Sequence, residues 1–114
     1  MLANNIFLKV INKEIPTKIV HEDEHSLAFH DINPQAPVHL LIIPKKVIVT
    51  HDQIEPVDQA LLGHLHLVAA KLAAELGLVE GYRLVINCGN QGGQSVPHLH
   101  MHLLGGRNLG WPPG

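Results

Sequence analysis

The chain has a single cysteine, Cys88, so no internal disulfide can form and the fold must rest on its core. It has no run of about 18 apolar residues, which excludes a membrane-crossing helix and leaves no membrane partner to expect. The opening MLANNIFLKVINKEIP lacks the basic start and the apolar stretch of about 7–15 residues that a secretory leader needs. A cytoplasmic protein is expected. An excess of one charge is missing too. The formal net charge is −2 and no basic stripe occurs, which argues against nucleic acid as an obligate partner, because phosphate-backbone binding needs clustered Lys and Arg. No internal repeat, linker or low-complexity segment is visible, and two cores would be too small to stand alone, so residues 1–114 read as one domain.

What is present is apolar bulk and histidine. Nearly half of the residues (46%) are apolar, enough for one core, and ten are histidine, which invites a search for a cluster.

Asn4 or Asn5 can cap a short helix through IFLKVINKE, with Ile6, Phe7, Val10 and Ile11 at helical spacing. TKIVHE and SLAFHD read as a hairpin around the acidic EDEH, and NPQAP as a loop. VHLLIIP reads as a buried strand stopped by Pro44. From about Pro56 to Leu76, Leu61, Leu65, Val68, Leu72 and Leu76 recur at three or four, the period of an amphipathic helix. YRLVINC reads as a strand, GNQGGQ as a glycine-rich loop, and SVPHLHMHLL as a last strand. The tail RNLGWPPG suits neither helix nor strand. The class is α+β with a mainly antiparallel sheet.

His21-Glu22-Asp23-Glu24-His25 matches the H-E-x-x-H metalloprotease pattern, which works only on a helix, where i and i+4 share a face. Here it follows β-branched Ile19-Val20 and is crowded with acid, as a turn between strands would be. His64 and His66 point apart on a helix and read as surface residues.

His98, His100 and His102 differ, because alternate strand positions put all three imidazoles on one side and Leu99, Met101 and Leu103 on the other. Two alternate histidines can share a zinc, with His39 or Cys88 completing a site. A straight strand cannot bring all three to one ion, since four residues span about 13 Å and zinc–nitrogen bonds are about 2.0–2.1 Å. Phosphate explains more. A neutral imidazole can attack phosphorus and form a covalent intermediate, while its neighbours donate to phosphoryl oxygens or to the leaving group. Upstream, Gly92-Gly93-Gln94-Ser95 offers backbone N–H groups, an amide and a hydroxyl to such an anion.

At these residues the sequence resembles the histidine triad (HIT) superfamily, whose signature is His-x-His-x-His followed by apolar residues. IFLKVINKEIP, LAFHDINPQAPVHLLIIPKK, GYRLVIN, GGQSVPHLHMHLLGGR and WPPG resemble its Hint branch, in order and over nearly the whole chain. The resemblance implies an α+β HIT fold with a short N-terminal helix, one long central helix and a sheet extended across a homodimer. It implies a purine nucleoside phosphoramidase, a hydrolase of adenosine 5′-phosphoramidates or related aminoacyl adenylates that passes through a nucleotidyl-histidine.

By the same resemblance His100 is the nucleophile, and His102 and Ser95 contact the scissile phosphate and leaving group. The His98 carbonyl orients the nucleophilic ring, and His39 is a fourth histidine from the neighbouring strand. Asp31 binds the ribose hydroxyls; Ile32, Phe29, Ile15, Phe7 and Ile6 form the purine slot; Asn87, Gly93 and Gln94 lie on the phosphate side. The tail 107–114 docks at the dimer interface, with Trp111 near the partner's site. Dinucleoside polyphosphate hydrolysis of the Fhit type is the enzymatic alternative, against which WPPG and IPKK speak. A nucleotide-binding or protein-interaction module with vestigial catalysis is the other. Two departures from the family pattern stand out, Val47 where histidine is common after IPKK, and Pro97 directly before the triad. The N-terminal cysteines with which some relatives bind zinc are absent, so no cofactor is expected, zinc included.

Overall fold

The structure is a computed structural model that describes residues 4–114. Helix α1, Ile6–Ile11, is only six residues long. It starts where the Asn5 side chain accepts the Leu8 N–H at 3.1 Å, and its buried residues, Phe7 and Val10, lie three apart on one face. Strands β1 (Ile19–Glu22) and β2 (Ser26–His30) form the expected hairpin, with Asp23 Oδ1 accepting the N–H groups of His25 and Ser26 at 2.8 Å. Strand β3, Val38–Pro44, is the uninterrupted apolar run and is buried over all but its first residue. Helix α2, Gln59–Glu75, follows two short 3-10 turns, so the helix expected from Pro56 begins as a 3-10 turn at Pro56–Asp58. Strands β4 (Tyr82–Val85) and β5 (Met101–Gly105) complete a five-stranded antiparallel sheet in the order β1-β2-β3-β5-β4.

The sheet is covered on both faces, and the period of two along its strands divides the core accordingly. Ala28, Leu40, Ile42, Leu99, Met101 and Leu103 pack with Leu65, Val68, Ala69 and Leu72 of α2. Leu27, Phe29, Leu41 and Ile43 face the other way and pack with Phe7 and Val10 of α1. The α+β reading holds, with one short and one long helix.

Two strands are shorter than their sequences suggested. YRLVINC is laddered only through Val85. SVPHLHMHLL joins the sheet only from Met101, paired with Ile42, so His98 and His100 precede the strand and only His102 is on it. Pro97 explains the delay. It has no N–H, the His98 N–H turns back to the Val96 carbonyl at 2.8 Å, and the Leu99 N–H goes to Ile48 O. The alternation of faces persists without the ladder: Leu99, Met101 and Leu103 enter the α2 core, while Phe7 of α1 packs on the rings of His98 and His100.

Candidate active site

Four imidazoles form a connected group. His98 and His100 approach from the segment before β5, His102 lies on β5, and His39 lies on β3 beside it. Ring centroids are 5.0 Å apart for His100–His102 and 5.1 Å for His39–His102. His98, His100 and His39 are buried.

Main-chain partners decide where each ring carries its proton, because a carbonyl only accepts and an N–H only donates. His98 Nε2 is 2.8 Å from the Pro44 carbonyl and must donate, so Nδ1 accepts from the Asn5 amide at 3.0 Å. His100 Nδ1 is 2.7 Å from the His98 carbonyl and must donate, which leaves the Nε2 lone pair free. His39 Nδ1 accepts the Gln35 N–H at 3.0 Å, so its proton sits on Nε2 and points at His102 Nδ1, 2.8 Å away. His102 therefore holds its own proton on Nε2.

These assignments require neutral rings, and burial provides them. Loss of water lowers the pKa of His98 and His100 below the ordinary imidazole range, although a main-chain carbonyl bonded to each ring opposes it. His102 is lowered to about 4, first by burial and then by His100 and His39. His39 is lowered by burial against the raising effect of Asp31. Its Nε2 lies 3.5 Å from Asp31 Oδ2, a neutral N–H approaching a carboxylate rather than an ion pair at neutral pH.

Asp31, His39 and His102 offer donor atoms within 4.8 Å of one another, close enough in principle for a metal. The tautomers oppose it. A cation at His39 Nε2 would drive the proton to Nδ1, where it would meet the Gln35 N–H head-on.

Beside the histidines lies a cavity of about 390 Å3. Ile6, Phe7, Ile15, Phe29 and Ile32 line it, with Asp31 and Ser95 at its polar side. Phe7 joins it to the cluster by its ring against His100, and Asp31 by its approach to His39. All five apolar residues expected to form the slot thus come together. Ile32 is 96% exposed and lines the cavity from the loop after β2.

The glycine-rich loop differs from expectation. The Gly93 N–H goes to Asn90 O at 3.1 Å and the Gln94 N–H to Gly89 O at 3.0 Å. The buried Gln94 amide is fully engaged, donating to Val49 O and Val96 O and accepting the Gly89 N–H. Asn87 donates to Gly92 O at 2.7 Å. Gly92 must be glycine, since a Cβ there would collide with the Cys88 carbonyl. Gln94 and Gly93 therefore shape the loop, whose Ser95 faces the cavity, and do not present free donors themselves.

Other sequence features lie elsewhere. His21 is on β1 and His25 in the turn, so no helix presents an H-E-x-x-H pair. Instead His21 Nε2 and His64 Nε2 both lie 2.7 Å from Asp23 Oδ2, which ties the hairpin to α2. His64 is thus a docking residue rather than a bystander on the helix surface. A cavity of about 440 Å3 adjoins that junction, but its Lys45 and Lys46 are already paired with Glu22 and Asp58. Val47 is exposed and does not line the histidine-side cavity. Trp111 is 85% exposed, in a tail whose Gly110 carbonyl accepts from Arg83. The double duty of Asn5, capping α1 and bonding His98, was missed in the sequence, where an asparagine before a helix signals only a cap.

The HIT domain family model matches residues 12–109. An uncharacterized HIT-like protein of Synechococcus elongatus is 57% identical, over all of both chains. The crystal structure of a HIT family hydrolase from Legionella pneumophila superposes with a TM-score of 0.95 at 54% identity, covering 97% of this chain and 100% of that one. A histidine triad nucleotide-binding protein from Candida albicans gives 0.82 at 34% identity, over 96% and 83%. With the histidine series, the α+β fold and the family match in agreement, the chain belongs to the HIT domain family.

Proposed function

We propose that the protein hydrolyses adenosine 5′-phosphoramidates in the manner of the Hint branch, through a nucleotide held covalently on His100. The observation that carries this reading is the bond between His100 Nδ1 and the His98 carbonyl, which commits the ring proton and leaves Nε2 as an unprotonated nucleophile in a dry setting.

Nε2 attacks phosphorus as the P–N bond breaks, and the leaving amine takes a proton from the Ser95 hydroxyl, which recovers it from the water that attacks in the second step. The Nε2–H of His102 donates to the phosphoryl group, and Ser95 assists on the leaving-group side. Water then attacks phosphorus, the P–Nε2 bond breaks, and AMP is released with His100 restored. No metal takes part. The purine fills the slot between Phe7, Phe29 and Ile32, and the Asp31 carboxylate accepts from the ribose diol. A hydrolase name for the Legionella relative and a nucleotide-binding name for the Candida one support the class.

The reading extends to a cytoplasmic homodimer. Among the described residues β4 is an outer strand with one unpaired edge, and Tyr82, on β4, and Trp111, in the tail, are exposed large side chains.

Steady release of AMP from an adenosine 5′-phosphoramidate is the expected result for the purified protein, undiminished by chelators, and His100→Ala should abolish it while leaving AMP binding intact. Tight AMP binding without turnover would instead make the protein a nucleotide-binding module.

A further inference from the structure

Arg107 lies outside the histidine group, yet it holds main chain on which that group depends. Gly106, at φ +89°, turns the chain leaving β5 back over the loop between β2 and β3, and a Cβ there would lie 2.9 Å from Pro37. The turn delivers the Arg107 guanidinium to Gln35. Nε and Nη2 donate to the Gln35 carbonyl at 3.2 and 2.9 Å, and Nη1 donates to Asn108 O at 2.9 Å. The N–H of the same residue donates to His39 Nδ1. Among the described residues, the other hydrogen bonds of the loop are local: Asn33 N–H to Asp31 Oδ1, Gln35 Nε2 to Asn33 O, and Asp31 N–H to His39 O.

The neutral pair His39–His102 has two ways to share its hydrogen bond. In one, His39 Nε2–H donates to His102 Nδ1 and the His102 proton sits on Nε2. In the other, His102 Nδ1–H donates to His39 Nε2, and His102 Nε2 is a bare lone pair facing the phosphoryl oxygens that it should serve as a donor. The Gln35 N–H permits only the first, because the second puts a proton on His39 Nδ1.

We propose that Arg107 is a positioning residue: by clamping the Gln35 main chain it fixes the tautomer of His39 and, through it, keeps the His102 proton on Nε2. Three donors in one planar fork suit this clamp, which a lysine would reproduce only in part. The proposal rests on the reading of His102 as a phosphoryl-group donor, but the tautomer exists without substrate and is measurable apart from turnover.

The test is long-range proton–nitrogen correlation spectroscopy of the histidine rings in nitrogen-labelled, full-length protein at neutral pH, alongside steady-state kinetics on an adenosine 5′-phosphoramidate. The expected wild-type spectrum has His39 and His102 protonated at Nε2. In Arg107→Ala the His102 signals should move toward a mixture of tautomers. Its kcat should fall on the order of tenfold while KM changes far less, as for a misoriented reacting group. Arg107→Lys should recover part of both. Arg83→Ala, which removes a different arginine-to-carbonyl bond in the same tail, should leave the tautomers as they are. An Arg107→Ala protein whose His102 remains protonated at Nε2 as fully as in the wild type overturns the proposal, even if its activity falls. A wild-type protein without phosphoramidate turnover contradicts the proposed reaction instead, and the spectra still decide the role of Arg107.

Discussion

Phe7 stands edge-on to His100, with ring centroids 4.9 Å apart and planes at 79°. A six-residue helix cannot persist alone, because helix nucleation is costly and short segments are marginal in water. Docking on the sheet residues Leu27, Phe29, Leu41 and Ile43 and on the histidines is therefore what holds α1, and α1 in turn keeps water from two of the rings. Phe7→Ala should destabilise the protein by about 3 kcal/mol in urea unfolding, the usual scale for deleting a buried phenyl group. It should also raise the His100 pKa by admitting water. A loss under about 1 kcal/mol would show that α1 is held by something other than this contact.

Asn5 joins the same two parts through its amide, and two substitutions separate its roles. Asn5→Ala removes the helix cap and the His98 partner and should cost about 2 kcal/mol. Asn5→Asp keeps an oxygen for the Leu8 N–H but offers no donor to His98 Nδ1, and it should favour a protonated His98. A rise in the His98 pKa measured by NMR, with helix content retained, is the expected outcome for Asp.

Acid should act on activity and stability in the same direction. The pKa values of His98, His100 and His102 are lowered on folding. Below about pH 6.5 the unfolded chain therefore takes up protons that the native rings refuse. Their contribution to stability is thus complete above pH 6.5 and is lost as pH falls toward the native values, that of His102 being about 4. The nucleophile must be neutral, so the acid limb of kcat/KM should also have its midpoint below 6.5. A midpoint at or above 6.5 in the free enzyme would contradict the buried, neutral cluster.

Asp31 has one oxygen on the Asn33 N–H and another near His39, at the edge of the cavity. Asp31→Asn keeps an acceptor for the loop but loses the charge that would take two ribose hydroxyls. Discrimination between AMP and 2′-deoxy-AMP should shrink by roughly tenfold, the worth of a hydrogen bond to a charged group. Calorimetric titration with both ligands reads this directly, and an unchanged ratio would remove Asp31 from the sugar site.

Much of this was legible in the sequence for a physical reason. Alternation at 98, 100 and 102 against Leu99, Met101 and Leu103 survives in the fold because the apolar partners are buried against α2, whether or not a ladder has begun. The apolar residues beside them came from the family resemblance rather than from any pattern: Phe7 and Phe29 share a core between α1 and the sheet, while Ile15 and Ile32 reach the same cavity from loops. What was not legible depends on partners far away in sequence. Pro97 signalled an irregularity, but not that the His98 N–H would turn back and delay the strand to Met101. Gln94 reads as a donor beside a glycine pair, yet its amide bonds Val49, 45 residues earlier. His21, Asp23 and His64 meet only because the hairpin lies against α2.

The central claim is a covalent nucleotide on His100, and the stereochemical course at phosphorus tests it most directly. An adenosine 5′-phosphorothioamidate of known configuration, hydrolysed by the wild-type protein in isotopically heavy water, yields a chiral thiophosphate whose configuration can be assigned. Two successive in-line displacements, first by His100 Nε2 and then by water, predict overall retention. Inversion would mean that water attacks the substrate in one step, and that His100 is not the nucleophile.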